Sequence, residues 1–457
     1  MSRAARWLAG QAFPLGVAAA AFILASARGP SDSDMFWHLA TAKWTVEHGA
    51  LLRQDVFSST VPGQPYAVGE WLGELILYAA YVVGGWVGIA ILRGLLVATF
   101  AFFVARLVRW SGAPPLVTVP LIVAAIAVSS ITWTDRPQLW TLAFVPALLD
   151  LLFAVRAGRA RLLYVLPPLF LFWANVHGGY PLGLAIIGAF TVEALLLRRS
   201  YAVRLAIVLV ACALVTFIDP APFDAGTTAR EDALAPPRFI TEFLPPDVLT
   251  PAGAVFALLV LGAVAAAMAR GGEPLDALLL IPLLWLALSA QRHMVFFAAV
   301  AAPFIAARVS VPVLWRGPAL PAPARVALAG TLLLVAVISA AFAPTSPDLR
   351  AYPAPALAAL RAGSGRLLNE YDWGGWLIWS APERPVFIDG RYIPYLGGVL
   401  GDFRAAIGLA PGWRGLITRY DVREALLRPS RPLAVALLED GWVVVARSDS
   451  FVYLRRP

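Results

Sequence analysis

At 457 residues the chain is long enough for two or three soluble domains, but 60% of its residues are hydrophobic and only 14% are charged. Apolar stretches of roughly 18 residues recur along it, which marks membrane spans rather than a soluble core. The formal charge of +8 does not point to nucleic acid as a partner, because the arginines gather in short loops between apolar stretches, as on the cytoplasmic side of membrane proteins.

The first element in chain order is an apolar stretch from about Trp7 to Ala27, preceded by Arg3 and Arg6. It reads as a first span, with a cleavable signal ending at Ala25-Ser26-Ala27 as the alternative. Further spans are expected at about 86–106, 115–133, 138–155, 161–176, 180–197, 204–218, 251–269, 276–290, 294–308 and 324–343. The only cysteine, Cys212, lies inside one of them, so no intramolecular disulfide is possible. Residues 71–84 decide the topology. They form a short stretch that carries Glu74 and ends at Gly84-Gly85. Read as an amphipathic helix in the interface, they leave Arg106, Arg109, Arg156, Arg159, Arg161, Arg198, Arg199, Arg204, Arg270, Arg308, Arg316 and Arg325 on one side. That is a consistent positive-inside arrangement, with about eleven spans, the N-terminus cytoplasmic and the C-terminus outside.

Three regions then face outward. Loop 28–85 holds Asp32 and Asp34, a helix from Met35 to His48, and the 71–84 helix. Loop 219–250 is rich in proline and charge, with Asp219, Asp224, Glu231, Asp232 and Glu242. From about 345 the apolar runs shorten. Pro385–Asp389 and Trp442–Ala446 read as strands, Ala354–Ala362 and Phe403–Leu409 as helices. The expected fold class is an α-helical polytopic membrane protein, with a transmembrane bundle over 1–344 and a small extracytoplasmic α/β domain over 345–457. All four histidines (His38, His48, His177 and His293) fall on the outer side with the acidic clusters.

Asp32 and Asp34 are two residues apart, so on an extended segment they point the same way and can share a divalent metal or divide base and support roles. An equal reading makes them a solvated turn, with Asp34 as N-cap of the following helix. Asp135-Arg136-Pro137 closes another outer turn, as a second acid beside a phosphate-binding arginine or simply as a helix start. Asn175-Val176-His177-Gly178-Gly179 is a tight outer turn. Gln291-Arg292-His293 places two potential cations at a span end, suited to an anionic headgroup or to interfacial anchoring. Arg93 and Asp150 lie inside apolar runs and are expected to pair within the bundle.

The stretch Asp32-Ser33-Asp34-Met35-Phe36-Trp37-His38-Leu39-Ala40-Thr41, continuing through Trp44 to Gly49, resembles the first outer loop of GT-C membrane glycosyltransferases. These include the oligosaccharyltransferase catalytic subunit, protein O-mannosyltransferases and aminoarabinose transferases. Glu370-Tyr371-Asp372-Trp373-Gly374-Gly375 partly resembles the acceptor-binding motif of oligosaccharyltransferases, with Phe387-Ile388-Asp389-Gly390-Arg391 following.

The resemblance implies a GT-C-like bundle that moves a sugar from a polyprenyl-phosphate carrier to a glycan, protein or lipid acceptor outside the cytoplasm, at a bacterial-type inner membrane. Asp34 would activate the acceptor or bind metal, with Asp32 and Asp135 in support. Arg136, Arg292 and His293 would hold the donor phosphate. Tyr371, Asp372, Asp389 and Arg391 would contact the acceptor. Asp32, Asp34 and His38 would be the ligands of a divalent ion, Mg or Mn, if one is used. The competing reading is a non-catalytic lipid- or glycan-binding membrane protein, or a transporter of the same architecture. A transporter should show paired halves with broken helices, and no internal repeat is evident.

Overall fold

The computed structural model describes residues 3–66, 68–220, 240–309 and 321–457, with side chains from Gly10 onward. Asp224, Glu231, Asp232 and Arg316 lie outside the described residues, as do the side chains of Arg3 and Arg6. Contacts divide the chain into two units, separated near residues 29 and 30, 83 and 84, and 345 and 346. Residues 30–83, read from the sequence as an outer loop of the bundle, pack with 346–457 in the second unit.

The first unit is helical. Its helices are α1 (Arg3–Ser26), the part of α3 (Trp71–Trp110) beyond Val83, α4 (Pro115–Ser129), α5 (Gln138–Arg156), α6 (Leu166–Val176), α7 (Tyr180–Leu196) and α8 (Ala202–Val215). They are followed by α9 (Pro251–Arg270), α10 (Pro274–Ser289), α11 (Met294–Arg308) and α12 (Ala322–Ala340). Helices thus occupy each stretch expected to span. Trp71–Trp110, Pro115–Thr132, Gln138–Arg156, Pro251–Arg270 and Ala322–Ala340 are long and apolar enough to cross a membrane by length and composition. Shorter apolar helices include Gly10–Ser26, Ala160–Val176, Tyr180–Leu196, Ala202–Val215 and Pro274–Ser289.

Local chemistry sets the helix starts. Proline stands in the first turn of α4, α9 and α10, where its missing N–H costs no hydrogen bond. The Thr250 hydroxyl caps α9 by accepting from the Gly253 N–H at 3.1 Å. Glu273 and Asp276 form a reciprocal capping box on α10. Large side chains such as Phe100, Phe170, Trp173, Phe190 and Phe297 are fully buried between helices. Outward-facing Met268, Trp285, Val337 and Phe342 are exposed, as expected of surfaces that meet lipid rather than water. This is a membrane protein.

Helix α3 is not continuous. Gly85 has φ of 58° and a non-helical ψ, a conformation only glycine adopts cheaply. The break separates 71–84 from the apolar length that follows, as the sequence suggested.

The second unit holds α2 (Ser33–His48), the first part of α3, and a four-stranded sheet: β1 (Arg366–Asn369), β2 (Val422–Leu427), β3 (Val443–Arg447) and β4 (Val452–Arg455). Strand order is β1-β2-β4-β3, with β1 and β2 parallel and the other pairs antiparallel. Helices α13 (Leu357–Ala362), α14 (Gly374–Ser380), α15 (Val399–Ile407), α16 (Trp413–Arg419) and α17 (Pro432–Glu439) surround it. The strand expected at Pro385–Asp389 does not form; Val386 makes only an isolated parallel bridge to Ser58. Its partner comes from the 57–60 turn: Ser59 N–H donates to Val386 O at 2.8 Å and Val386 N–H to Phe57 O at 3.0 Å.

Candidate functional site

Asp34 lies in the second unit, at the start of α2. Asp32, with extended dihedrals, is the N-cap of α2, and its carboxylate accepts from the Asp34 N–H at 2.8 Å. This corrects two expectations. Asp32 caps the helix rather than Asp34, and Asp34 lies in the first helical turn, so the two do not project side by side from an extended segment. Asp34 is half-buried, its carboxylate at the positive end of the α2 dipole, which favours the ionised form. A β-carbon placed on Gly390 would fall 2.0 Å from Asp34 Oδ1 and 3.2 Å from Trp37 Nε1. Gly390 is glycine because the carboxylate takes up that space.

The 387–391 segment carrying Gly390 is fixed from several sides. Asn369 accepts from Phe387 N–H and donates to Ile388 O, both at 2.8 Å. Tyr371 donates to Gly390 O at 3.3 Å. Arg391 is wholly enclosed, 2.6 Å from Asp389 and 2.7 Å from Asp55. Its guanidinium also lies 5.1 Å from the Phe57 ring centroid and 5.2 Å from that of Tyr66. Tyr395 donates to Asp389 at 2.5 Å, and burial, then the Asp389 charge, hold its phenol protonated well above the ordinary range. Asp389 and Arg391, expected as acceptor contacts, are therefore occupied with each other in the interior. Asp372 is exposed and paired with Arg428 at 2.9 Å.

His38 lies one helical turn beyond Asp34 but turns to Glu74, with Nδ1 2.8 Å from Oε1 and both side chains buried. Asp32, Asp34 and His38 thus do not gather as a ligand set. Among the described residues no group of three or more His, Cys, Asp or Glu is arranged to hold a metal. The steps proposed below accordingly use protein groups alone.

The first unit holds a second polar centre. Arg136 Nη2 is 3.0 Å from Glu242 Oε2, and Arg292 Nη1 is 3.7 Å from Glu242 Oε1. Arg292 stacks 3.8 Å from the Phe243 ring centroid, and its Nε donates to His293 Nε2 at 3.3 Å. Gln291 fastens the 241–244 turn, its N–H donating to Leu244 O at 2.8 Å and its Nε2 to Thr241 O at 2.6 Å. Burial, then the Arg292 and Arg136 charges, push the His177 imidazole down to about 3. His293 falls to about 4, chiefly through burial and Arg292. Both are neutral at ordinary pH, so neither adds to the charges of Arg136, Arg292 and Glu242. Asp135 is not part of this cluster as a free acid: it is buried at 2.6 Å from Arg93, whose guanidinium also donates to the Ala25 and Arg28 carbonyls. Asp150 pairs with Arg106 at 3.0 Å and accepts from Trp110.

No family model matches the sequence, and no curated protein matches it. Solved structures do match in fold. The Archaeoglobus fulgidus oligosaccharyltransferase in its apo form superposes with a TM-score of 0.61 at 13% identity, over 92% of this chain and 69% of that one. The same enzyme tethered by a disulfide to an acceptor peptide containing the NVT sequon gives 0.57 at 12% identity, over 98% and 74%. The Archaeoglobus fulgidus enzyme AglB, in complex with an inhibitory peptide and a dolichol-phosphate, gives 0.59 at 12% identity, over 98% and 74%. The fold is similar to that of this archaeal oligosaccharyltransferase. Identities this low show the fold alone and leave the chemistry to be argued from residues.

Four residues that matter to these centres were not singled out from the sequence. Asp55 went unmentioned, Glu74 was noted only as the charge in the 71–84 helix, Glu242 only as a charge in loop 219–250, and Gly390 only as a motif position. A polar residue inside an apolar stretch was the one available signal, and Glu74 carried it.

Proposed function

We propose that the protein is a GT-C-type membrane glycosyltransferase that transfers a sugar from a polyprenyl-phosphate-linked donor to an extracytoplasmic acceptor. The observation that carries this reading is the oligosaccharyltransferase fold together with a half-buried carboxylate at the start of α2, held by a glycine that leaves it room. In this reading Asp34 takes the proton of the acceptor nucleophile as it attacks the anomeric carbon. The sugar–phosphate bond breaks, and the electron pair leaves on the phosphate; within the first unit, Arg136 and Arg292 are cations of the kind that bind such a group. Asp32 orients the first turn of α2, and His38 with Glu74 fixes the next turn. Asp389 and Arg391 hold the Gly390 backbone rather than touch the acceptor, and Tyr371 donates to the same segment. Asp135 keeps Arg93 neutralised in the bundle. One structural neighbour is in complex with a dolichol-phosphate, which supports a lipid phosphate as the carrier. The chain is read as crossing the membrane about eleven times, with its arginine-rich loops in the cytoplasm and both candidate centres outside.

The test is turnover. Protein reconstituted with the polyprenyl-phosphate sugars of its own membranes should release polyprenyl phosphate. Asp34→Asn should lower that rate by roughly 10²–10⁴-fold while leaving the circular-dichroism spectrum and melting temperature unchanged. Undiminished turnover in Asp34→Asn would overturn the assignment.

A further inference from the structure

Three helices of the first unit bring a group of arginines together at one end. Gly16 of α1 faces Leu332 of α12, and a few residues on, Ala19, Phe22 and Ala336 share a buried cluster, so α1 and α12 run parallel. Phe22 also lies against Gly94 of α3, while the Gly10 carbonyl accepts from Arg109 Nη1 at 2.7 Å, so α3 runs antiparallel to α1. The last turns of α3 and the first turn of α12 therefore end beside Gly10, with Arg106 and Arg109 on one and Arg325 on the other. Their charges are not equally balanced. Arg106 is paired at 3.0 Å with Asp150, a carboxylate that also accepts from Trp110 Nε1 at 3.0 Å. The Arg109 side chain holds only the Gly10 carbonyl, and Arg325 Nε is buried with no hydrogen-bond partner; neither arginine forms an ion pair among the described residues. The charges that act most on Arg109 are those of Arg325 and Arg106, so cations repel one another here. Residues 1–9, which lead into Gly10, and 310–320, which lead into α12, contain no aspartate or glutamate to balance them.

We infer that Arg109 and Arg325 form a binding site for the phosphate of a membrane lipid headgroup. The inference depends neither on the transferase reading nor on its donor. Arg109, tied through Nη1, still has Nε and Nη2 to donate, and Arg325 has its whole fork. A phosphate ester has oxygens enough to accept from both and brings the negative charge that relieves their repulsion. The first turn of α12 adds to this, because a helix dipole favours an anion at that end rather than an arginine. A basic pocket between spans is a common seat for an anionic headgroup. The surroundings favour a lipid over free phosphate: Trp110, Val326 and Leu328 are exposed beside the arginines, and α12 is exposed along most of its apolar length. Acyl chains can cover that surface once the headgroup is held, whereas inorganic phosphate makes no use of it.

The experiment uses the full chain in mild detergent, with dioleoyl phosphatidylglycerol, dioleoyl phosphatidylcholine and inorganic phosphate as probes and native mass spectrometry as the readout. Wild type should bind phosphatidylglycerol more tightly than phosphatidylcholine. Arg109→Gln and Arg325→Gln should each weaken phosphatidylglycerol binding roughly tenfold. Arg161→Gln, at an exposed arginine of another loop, should bind it like wild type. Unchanged affinity in both Arg109→Gln and Arg325→Gln would overturn the site. An equal loss in Arg161→Gln would overturn it too, because the lipid would then be following the general field of the arginine-rich loops. Inorganic phosphate that displaces phosphatidylglycerol at equal concentration would overturn the lipid as the ligand. A further readout needs no variant and stands even if one fails to fold. In wild type, hydrogen exchange at the Arg325 amide, which donates to Pro321 O at 3.1 Å, should slow in nanodiscs containing phosphatidylglycerol relative to phosphatidylcholine alone. Equal exchange in the two would count against a headgroup seated on the first turn of α12.

Discussion

In the second unit Arg391 is fully enclosed between Asp55 and Asp389, whereas in the first unit Arg136 and Arg292 share Glu242 with part of every side chain open to solvent. The chemistry of the pairs is the same and their circumstances are opposite. A sealed pair has no alternative partner, so it serves to fix geometry, here the segment that carries Gly390. An open cluster can exchange one anion for another. The difference teaches that enclosure, not residue type, decides whether a charged group here is confined to a framework role or stays open to solvent.

The largest expected effect comes from breaking the sealed side of the comparison. Arg391→Met removes one partner and leaves two buried carboxylates uncompensated, a loss on the order of 3–5 kcal/mol. The variant should fail to accumulate, or melt far below wild type in a thermal scan of the reconstituted protein. Arg391→Lys should recover little, because an ammonium cannot fork between Asp389 and Asp55. A melting temperature like that of wild type in Arg391→Met would show that the network is not a framework.

A smaller and more selective effect is expected at Gly390. Its added methyl in Gly390→Ala would fall 2.0 Å from Asp34 Oδ1, so the carboxylate has to move. The clash is with a side chain in a half-exposed setting, and stability should change little. Displacing a base by about 1 Å costs roughly 10²-fold in rate, so turnover should fall by that order. If turnover is unaffected, the position of the Asp34 carboxylate is not what Gly390 protects.

Much of the architecture was legible before any coordinates. The apolar stretches became helices because each carries its own signal in composition, and the interruption at Gly84-Gly85 marked the break in α3. Asp32 and Asp34 were legible as a capping sequence, though which of them caps depends on where α2 begins, a matter of one or two residues. The short strands β1, β2 and β4 were missed, and Pro385–Asp389 was taken for a strand, because alternation over four or five residues is weak evidence next to tertiary pairing. The partners were not legible at all. His38 finds Glu74 36 residues away, and Arg136 finds Glu242 106 residues away. One sequence lists such charges but carries no information about which loops meet. Asp389 and Arg391 were misjudged for the same reason: a charged pair next to a glycine looks like a contact surface until the chain buries it.

The smallest effect tests the edge of the open cluster. His177 Nδ1 accepts from the Thr141 hydroxyl at 2.7 Å and from the Gly179 N–H at 2.9 Å, while Thr141 Oγ1 accepts from Trp173 Nε1 at 2.8 Å. With the Gly179 N–H donating to Nδ1, the proton of the neutral ring is on Nε2, and protonating Nδ1 would forfeit the Gly179 bond. This agrees with an imidazole lowered to about 3 by burial and by Arg292 and Arg136. The sign follows from linkage: between that value and the ordinary 6.5 the unfolded state binds the proton and the native state does not. Stability from this group is therefore complete above about pH 6.5 and declines as pH falls toward 3. Moving from pH 7 to pH 5 should cost on the order of 1–2 kcal/mol through His177, seen as a fall of a few degrees in the melting temperature. His177→Gln should be less stable at pH 7 but show a smaller fall between the two pH values. Arg292→Ala should also reduce the fall, since it removes one of the charges that repel the proton. An unchanged pH dependence in both variants would mean that His177 does not sense the arginine pair, and would separate it from the phosphate centre.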